Sequence, residues 1–482
     1  MKKNSITKNV AYNLIYQVLT VLLPLITTPY LSRKLGAEPI GIYGFTLSIV
    51  TYFVLFGSLG TAMYGQREIA KNQNSRNKYS ITFWEVTIIR ILSMMISMIV
   101  FYLIFCMNGN YNFYYKIFLI YMIAYSLNIS WFFQGIEQFD RIVIRNIIVK
   151  LLSIILIFTL IKNPKDLWIY VLIFAGSEFF GNISLWFYLP KYLVRIKTKN
   201  INLKKHLIPV LLLFLPQVAT QIYTVLDKTM VGLITNNMNE VGFYEQAQNI
   251  AKAALVIMAS VQTVMNSRVA NANVLGNEKE IKSCLKKSFD FVWMFGVPIM
   301  LGIIVIADNL VPWYYGKGFE PVKHILIATS PIILAIGLNG ITGIVYLIHT
   351  GQQNFFTKSV VFGAIINVIF NIILIKIFGT VGASISSVIA EISILIFHFK
   401  YIKKIYKISD IFRVSIKPLV SGLMMIVFIL PISFFLKPSI TNTAFLVMIG
   451  MIVYATALYI LKYELFLNTI NSSIKIIKRK GD

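Results

Sequence analysis

Several charged side chains fall inside long apolar runs, where each needs a partner or a purpose. Arg90, Lys150, Glu178, Asp227, Lys228, Lys252 and Glu391 are so placed. A charge at the centre of a membrane helix costs roughly 2.5–3.5 kcal/mol on insertion scales, so it normally faces a counter-charge or a water-filled cavity. Cations in such a place can hold an anion. Carboxylates there can brace a bundle by accepting hydrogen bonds, or can bind a proton or Na⁺. Asp227 and Lys228 are adjacent, so on a helix they point about 100° apart and do not simply neutralise each other. Glu245 and Lys252 lie two turns apart, with Gln248 and Asn249 near the same face, a polar stripe that points to a cavity. Two of these charges also have structural readings: Arg90 can pair with Glu85 or with a carboxylate on another helix, and Lys150 can reach along its own stem to the headgroup layer. Trp131-Phe132-Phe133-Gln134 sets aromatic rings beside an amide, a combination able to stack on a sugar ring. The remaining tryptophans sit mostly near the ends of apolar runs and read as interfacial anchors.

Enzyme signatures do not accompany these charges. The chain has no GxxxxGK[ST], no GxGxxG between a strand and a helix, no GxSxG and no HExxH. Its two cysteines, Cys106 and Cys284, are far apart, and its four histidines have no ligand spacing. Those absences leave a gradient-driven carrier, a passive path or an enzyme working on membrane lipids; of these a transporter is the reading taken, with no cofactor and no metal site expected.

The elements that must carry the charges are membrane helices. The 482 residues are 57% hydrophobic and only 13% charged, with a mean hydropathy of +0.73. Apolar runs of about 20 residues, each able to cross a ~30 Å hydrocarbon layer as a helix, recur from end to end. Fourteen spans are expected, at 10–31, 40–62, 82–106, 113–134, 143–161, 167–188, 208–233, 242–266, 288–308, 324–348, 359–378, 380–399, 414–436 and 442–461. The most polar is 242–266. With span-edge cations counted in the adjoining loops, 32 of the 45 Lys and Arg fall on the side of the N-terminus, nine fall opposite and four lie within spans. That asymmetry places both termini in the cytoplasm. It also explains the net charge of +26 by contact with membrane lipids and leaves nucleic acid no role.

The chain also repeats itself. Ile40-Gly41-Ile42-Tyr43 is echoed by Val241-Gly242-Phe243-Tyr244, Gln134-Gly135 by Thr350-Gly351, and Ser177-Glu178 by Ala390-Glu391, at offsets of 201, 216 and 213 residues. The order predicts two six-helix lobes related by a parallel pseudo-repeat, with two further C-terminal helices. The expected divisions are 1–206, 207–413 and 414–482. The fold class is all-α integral membrane.

Particular segments add a resemblance. Leu23-Pro24-Leu25-Ile26-Thr27-Thr28-Pro29-Tyr30-Leu31-Ser32-Arg33-Lys34-Leu35-Gly36, then Gly41-Ile42-Tyr43-Gly44, resemble the opening of Wzx-type polysaccharide flippases. So do Gly65-Gln66-Arg67-Glu68-Ile69-Ala70, Ser130-Trp131-Phe132-Phe133-Gln134-Gly135, Pro216 to Tyr223 leading to Leu226-Asp227-Lys228, and Gly316-Lys317-Gly318-Phe319. The likeness runs to about residue 400 in the family's order.

That family is the polysaccharide transporter family of the multidrug/oligosaccharidyl-lipid/polysaccharide exporter superfamily. The resemblance implies alternating access in a bacterial inner membrane. The cargo would be undecaprenyl-diphosphate-linked oligosaccharide repeat units, moved to the outer leaflet for capsule, exopolysaccharide or O-antigen-like polysaccharide. A polysaccharide polymerase and glycosyltransferases would be its partners. On this reading Arg33, Arg67, Arg90, Lys228 and Lys252 are candidates for the diphosphate, Gln134 and Trp131 for the sugar, and Glu178, Asp227 and Glu391 for ion coupling. The alternatives are a drug or cation antiporter of the same superfamily and, further off, a membrane glycosyltransferase or polymerase.

Overall fold

A computed structural model describes residues 23–196 and 201–471. Among them every regular element is helical. Helix α1 covers 23–35 and stops at Gly36, whose φ of 81° suits glycine. Then follow α2 (Ala37–Ser58), α3 (Thr61–Lys71), α4 (Arg76–Phe101), α5 (Asn112–Ser126), α6 (Ser130–Gly135), α7 (Phe139–Leu160), α8 (Leu167–Trp186) and α9 (Lys204–Thr235). The second half runs through α10 (Met238–Val274), α11 (Glu278–Tyr315), α12 (Val322–Thr329), α13 (Ile332–Asn339), α14 (Gln353–Ile402), α15 (Ile408–Arg413), α16 (Ile416–Phe435) and α17 (Ile440–Ile460), with a last helix at 464–471.

Eleven of these helical stretches are long and apolar enough to cross a membrane. Helix α14 alone holds two of the expected spans, divided at Gly379, where φ 57° and ψ −136° break the helical path. With the 32-residue α9, thirteen of the fourteen expected spans lie on described helices; of the first, 10–31, only the part from 23 on falls within the described residues. The most polar expected span is a full helix, α10, longer at both ends than 242–266. Large apolar side chains such as Ile96, Leu103, Leu152 and Phe428 are more than half exposed, which suits a surface that meets lipid.

The chain forms two compact units, Met1–Gly242 and Phe243–Asp482. In the first, α9 packs on α2 and α3. The glycines of the first repeated motif also meet in this unit. A Cβ on Gly41 would lie 1.7 Å from the Met238 carbonyl oxygen, and one on Gly242 would lie 2.1 Å from that of Ala37. Each glycine admits the backbone four residues before the other, so the contact is reciprocal.

The linker after α8 is anchored as well. Glu85, fully buried, accepts hydrogen bonds from the Asn202 backbone N–H at 2.7 Å and from Lys205 at 2.8 Å, and its other oxygen lies 2.7 Å from His206 Nε2. His206 Nδ1 reaches the Tyr64 hydroxyl at 2.6 Å. The carboxylate expected to pair with Arg90 is thus bound elsewhere. In the second unit α11, α16 and α17 share a core of Met294, Met425, Leu446 and Leu458. There the span containing α12 and α13 ends in nine residues of π-helix, Gly340–Ile348. Thr342 and Ser359 flank His398 at 2.7 Å each and tie that wide turn to α14.

Candidate functional site

The expected fourth span is not one helix. It breaks between α5 and α6, and the Asn128 side chain accepts from the Ser130 N–H at 3.0 Å to start the second piece. A helix end inside a membrane needs partners for its last carbonyls, because no water is there to supply them. Three side chains provide them. Asn182 Nδ2 donates to the Ala124 carbonyl at 2.9 Å, Arg90 Nε to Tyr125 at 2.8 Å and Trp186 Nε1 to Leu127 at 2.8 Å. Arg90 is 3% exposed. Its charge sits at the negative end of the α5 dipole, where a cation is favoured.

Beside this break lies a cavity of about 420 Å³, bordered by α1, the α5–α6 break, α7 and α8. Irregular backbone inside a membrane is expected where it borders such a cavity. Helix α7 lines it with Ile142, Arg145, Asn146, Val149, Lys150 and Ser153, one continuous face at three- and four-residue spacing. Helix α8 contributes Phe174, Ser177, Glu178 and Gly181, again one face. From the break come Tyr125, Asn128, Ser130 and Gln134. Arg145 donates to Asn182 at 2.7 Å and to Asn146 at 2.9 Å, which fixes its fork against the wall. Both Arg145 and Lys150 act on the Glu178 carboxylate through the electric field. Two cations against one carboxylate leave the lining with an excess positive charge, among amides and hydroxyls that hydrogen-bond in either sense.

Of the residues singled out from the sequence, Gln134, Lys150 and Glu178 meet in this cavity. Trp131 does not: it is 2% exposed, stacks on Phe83 at 5.6 Å and lies against Gly65. Arg33 and Arg67 are exposed on α1 and α3. Lys228 is half-buried on α9 beside the buried Asp227, which lies close to Tyr52. Lys252 is exposed on α10 in the second unit. Glu391, buried on α14, accepts from Asn339 Nδ2 at 2.6 Å.

Sequence reasoning missed Arg145, counted as a span-edge cation with the loop before the expected span 143–161. Lys150, for which a reach to the headgroup layer was the structural reading, lines the cavity. The signal was present as the stripe Ile142, Arg145/Asn146, Val149/Lys150, Ser153, a polar face on an otherwise apolar helix.

A family described as "Polysaccharide biosynthesis protein" matches residues 6–266, more than half of the chain. The chain belongs to that family. A relative from Escherichia coli (strain K12), named "Putative O-antigen transporter", is 25% identical over 394 residues, 81% of this chain and 94% of the relative. Among solved structures, the lipid II flippase MurJ in an inward closed conformation aligns with a TM-score of 0.68 at 15% identity, over 95% of this chain and 99% of its own. An inward-facing multidrug resistance transporter of the MATE family aligns with a TM-score of 0.63 at 14% identity, over 84% and 99%. At such identities the fold is what is shared. The family member described here is thus a multi-span membrane protein with a transporter's fold, and these likenesses make it a transporter rather than an enzyme.

Proposed function

We propose that the protein is a flippase for the lipid-linked precursors of a polysaccharide, moving polyprenyl-diphosphate-linked oligosaccharide from the inner to the outer leaflet of a bacterial cytoplasmic membrane. The observation that carries this reading is the cavity with Arg145, Lys150, Glu178 and Gln134 inside apolar spans of a polysaccharide-biosynthesis family member. A diphosphate leaves water only where cations replace its hydration, and arginine grips it with paired hydrogen bonds. Amides and hydroxyls suit sugar hydroxyls, and the prenyl tail stays in lipid.

In this scheme Arg145 and Lys150 are the primary anion contacts. Arg33 and Arg67, exposed on α1 and α3, serve arrival and departure of the headgroup, and Lys228 and Lys252 serve the remainder of its path. Moving negative charge outward across an inside-negative membrane releases about 2.3 kcal/mol per charge per 100 mV. Glu178, Asp227 and Glu391 offer proton or Na⁺ coupling beside that term. The polymerase and glycosyltransferases of the same polysaccharide would be the functional partners.

The test is transport in proteoliposomes together with the leaflet distribution of lipid-linked sugars in cells lacking the protein. Loss of the protein should strand the precursor in the inner leaflet. Arg145→Gln with Lys150→Gln should cut transport at least tenfold at matched protein level, while Arg145→Lys retains part of it. Glu178→Gln should spare binding and change the response to an imposed proton or Na⁺ gradient. Normal export by the double variant would place the anion site elsewhere. Normal leaflet distribution without the protein, with transport of organic cations instead, would turn the reading to an antiporter.

A further inference from the structure

A second basic cavity lies in the other unit, remote from the one above in sequence and built from different elements. It measures about 790 Å³ and opens at the ends of three spans, where α11 begins, where α15 turns into α16, and just after α17. Lys282 and Lys286 enter it one helical turn apart on α11. Arg413 and Lys417, also four apart, enter across the α15–α16 turn. Three carboxylates, Asp290, Asp410 and Glu464, share the lining, so four cations leave one positive charge in excess.

Part of the charge of both signs is already engaged. Glu464 lies 3.5 Å from Lys286, and Asp290 accepts from the Tyr463 hydroxyl at 3.3 Å. Lys282 lies 3.8 Å from Glu278, and Lys417 donates to the Lys462 carbonyl at 3.0 Å. Burial first, and then Asp290 and Asp410, push the Tyr406 hydroxyl in the wall up to about 12.

What the cavity adjoins sets its ligand. The face of α16 that begins with Lys417 continues as Val420, Met424 and Phe428, all exposed. A cationic cup at the end of a span, with an exposed apolar track running from it along the helix, matches an amphiphile with an anionic head. A soluble phosphate compound would make no use of the track.

We infer that this cavity binds the glycerophosphate headgroup of an anionic phospholipid, with an acyl chain along the Val420–Phe428 face. The phosphate is held by Lys282, Lys286, Arg413 and Lys417, and headgroup hydroxyls donate to Asp290 and Asp410. The inference is independent of the transport reading, because it concerns a resident lipid rather than the cargo.

The full chain, purified into phosphatidylcholine nanodiscs, would be tested for retention of added phosphatidylglycerol by native mass spectrometry. The wild type should retain phosphatidylglycerol in preference to phosphatidylcholine. Lys282→Gln with Lys286→Gln, and Arg413→Gln with Lys417→Gln, should each weaken retention roughly tenfold or more, given the contribution of each basic residue near an anionic surface. Lys317→Gln, outside the cavity, should leave it unchanged. The four cations are exposed, so these variants should fold, and monodispersity on size exclusion verifies it. The charge-preserving Arg413→Lys with Lys417→Arg should keep most of the retention. Unchanged retention in both double variants, or equal retention of phosphatidylcholine, overturns the site. Stabilisation of the wild type by free glycerol 3-phosphate, to the same extent as by the lipid, overturns the assignment to a phospholipid.

Discussion

Arg90 shows how a charge inside a span acquires a structural function that composition does not reveal. Its type and depth were readable in the sequence, and so was its need for a partner. The partner was not, because it is a backbone carbonyl freed by a helix break 35 residues away. Glu85, the carboxylate nearest in sequence, binds His206 and Lys205 instead. Replacing Arg90 by Met should leave the Tyr125 carbonyl without that donor in a water-free place and lower stability by about 1.5–3 kcal/mol. Arg90→Lys, which keeps the charge but not the fork, should fall between. Thermal unfolding in detergent measures both. If Arg90→Met matches the wild type in stability yet abolishes transport, Arg90 contacts the cargo rather than capping α5. Arg145 illustrates the reverse case. Its neighbours along the helix form a clean polar face, so the site was legible in the pattern once Arg145 is read as part of α7 rather than of the loop before it.

At the scale of elements, hydropathy located the spans well because every one must bury about 20 residues in protein or turn them to lipid. It did not reveal how they break, since breaks depend on single side chains. Asn128 starts α6, Gly379 divides α14, and the π-helical Gly340–Ile348 is held by Thr342 and Ser359 around His398. The Gly41 and Gly242 motif was visible as a repeat, while its purpose required coordinates. A side chain at either glycine meets a carbonyl oxygen well inside contact distance, so the two helices must separate to admit it. Gly41→Val and Gly242→Val should each reduce the folded yield several-fold, Gly41→Ala and Gly242→Ala less so. Combining the two valines should cost less than the sum of their effects, because the first already opens the shared contact. Fluorescence-detected size exclusion reads the yield. Additive losses would show that the glycines act separately.

For the whole molecule, two orders of evidence bear on different things. The fold rests on the recurrence of apolar helices and on the alignment with MurJ over 95% of the chain. Orientation in the membrane rests on the sequence alone, through the distribution of lysine and arginine between alternate loops. The two glutamates that the repeat was expected to match have different surroundings, Glu178 lining a cavity and Glu391 buried against Asn339. The orientation is tested by thiol labelling in a background without Cys106 and Cys284, both of which are free and buried. Arg195 and Asn108 are exposed and fall in loops that the charge asymmetry assigns to opposite sides. With both termini in the cytoplasm, Arg195→Cys should be protected from an impermeant maleimide in intact cells and react after permeabilisation. Asn108→Cys should react in both. The opposite pattern would turn the whole molecule over and, with it, the direction assigned to transport.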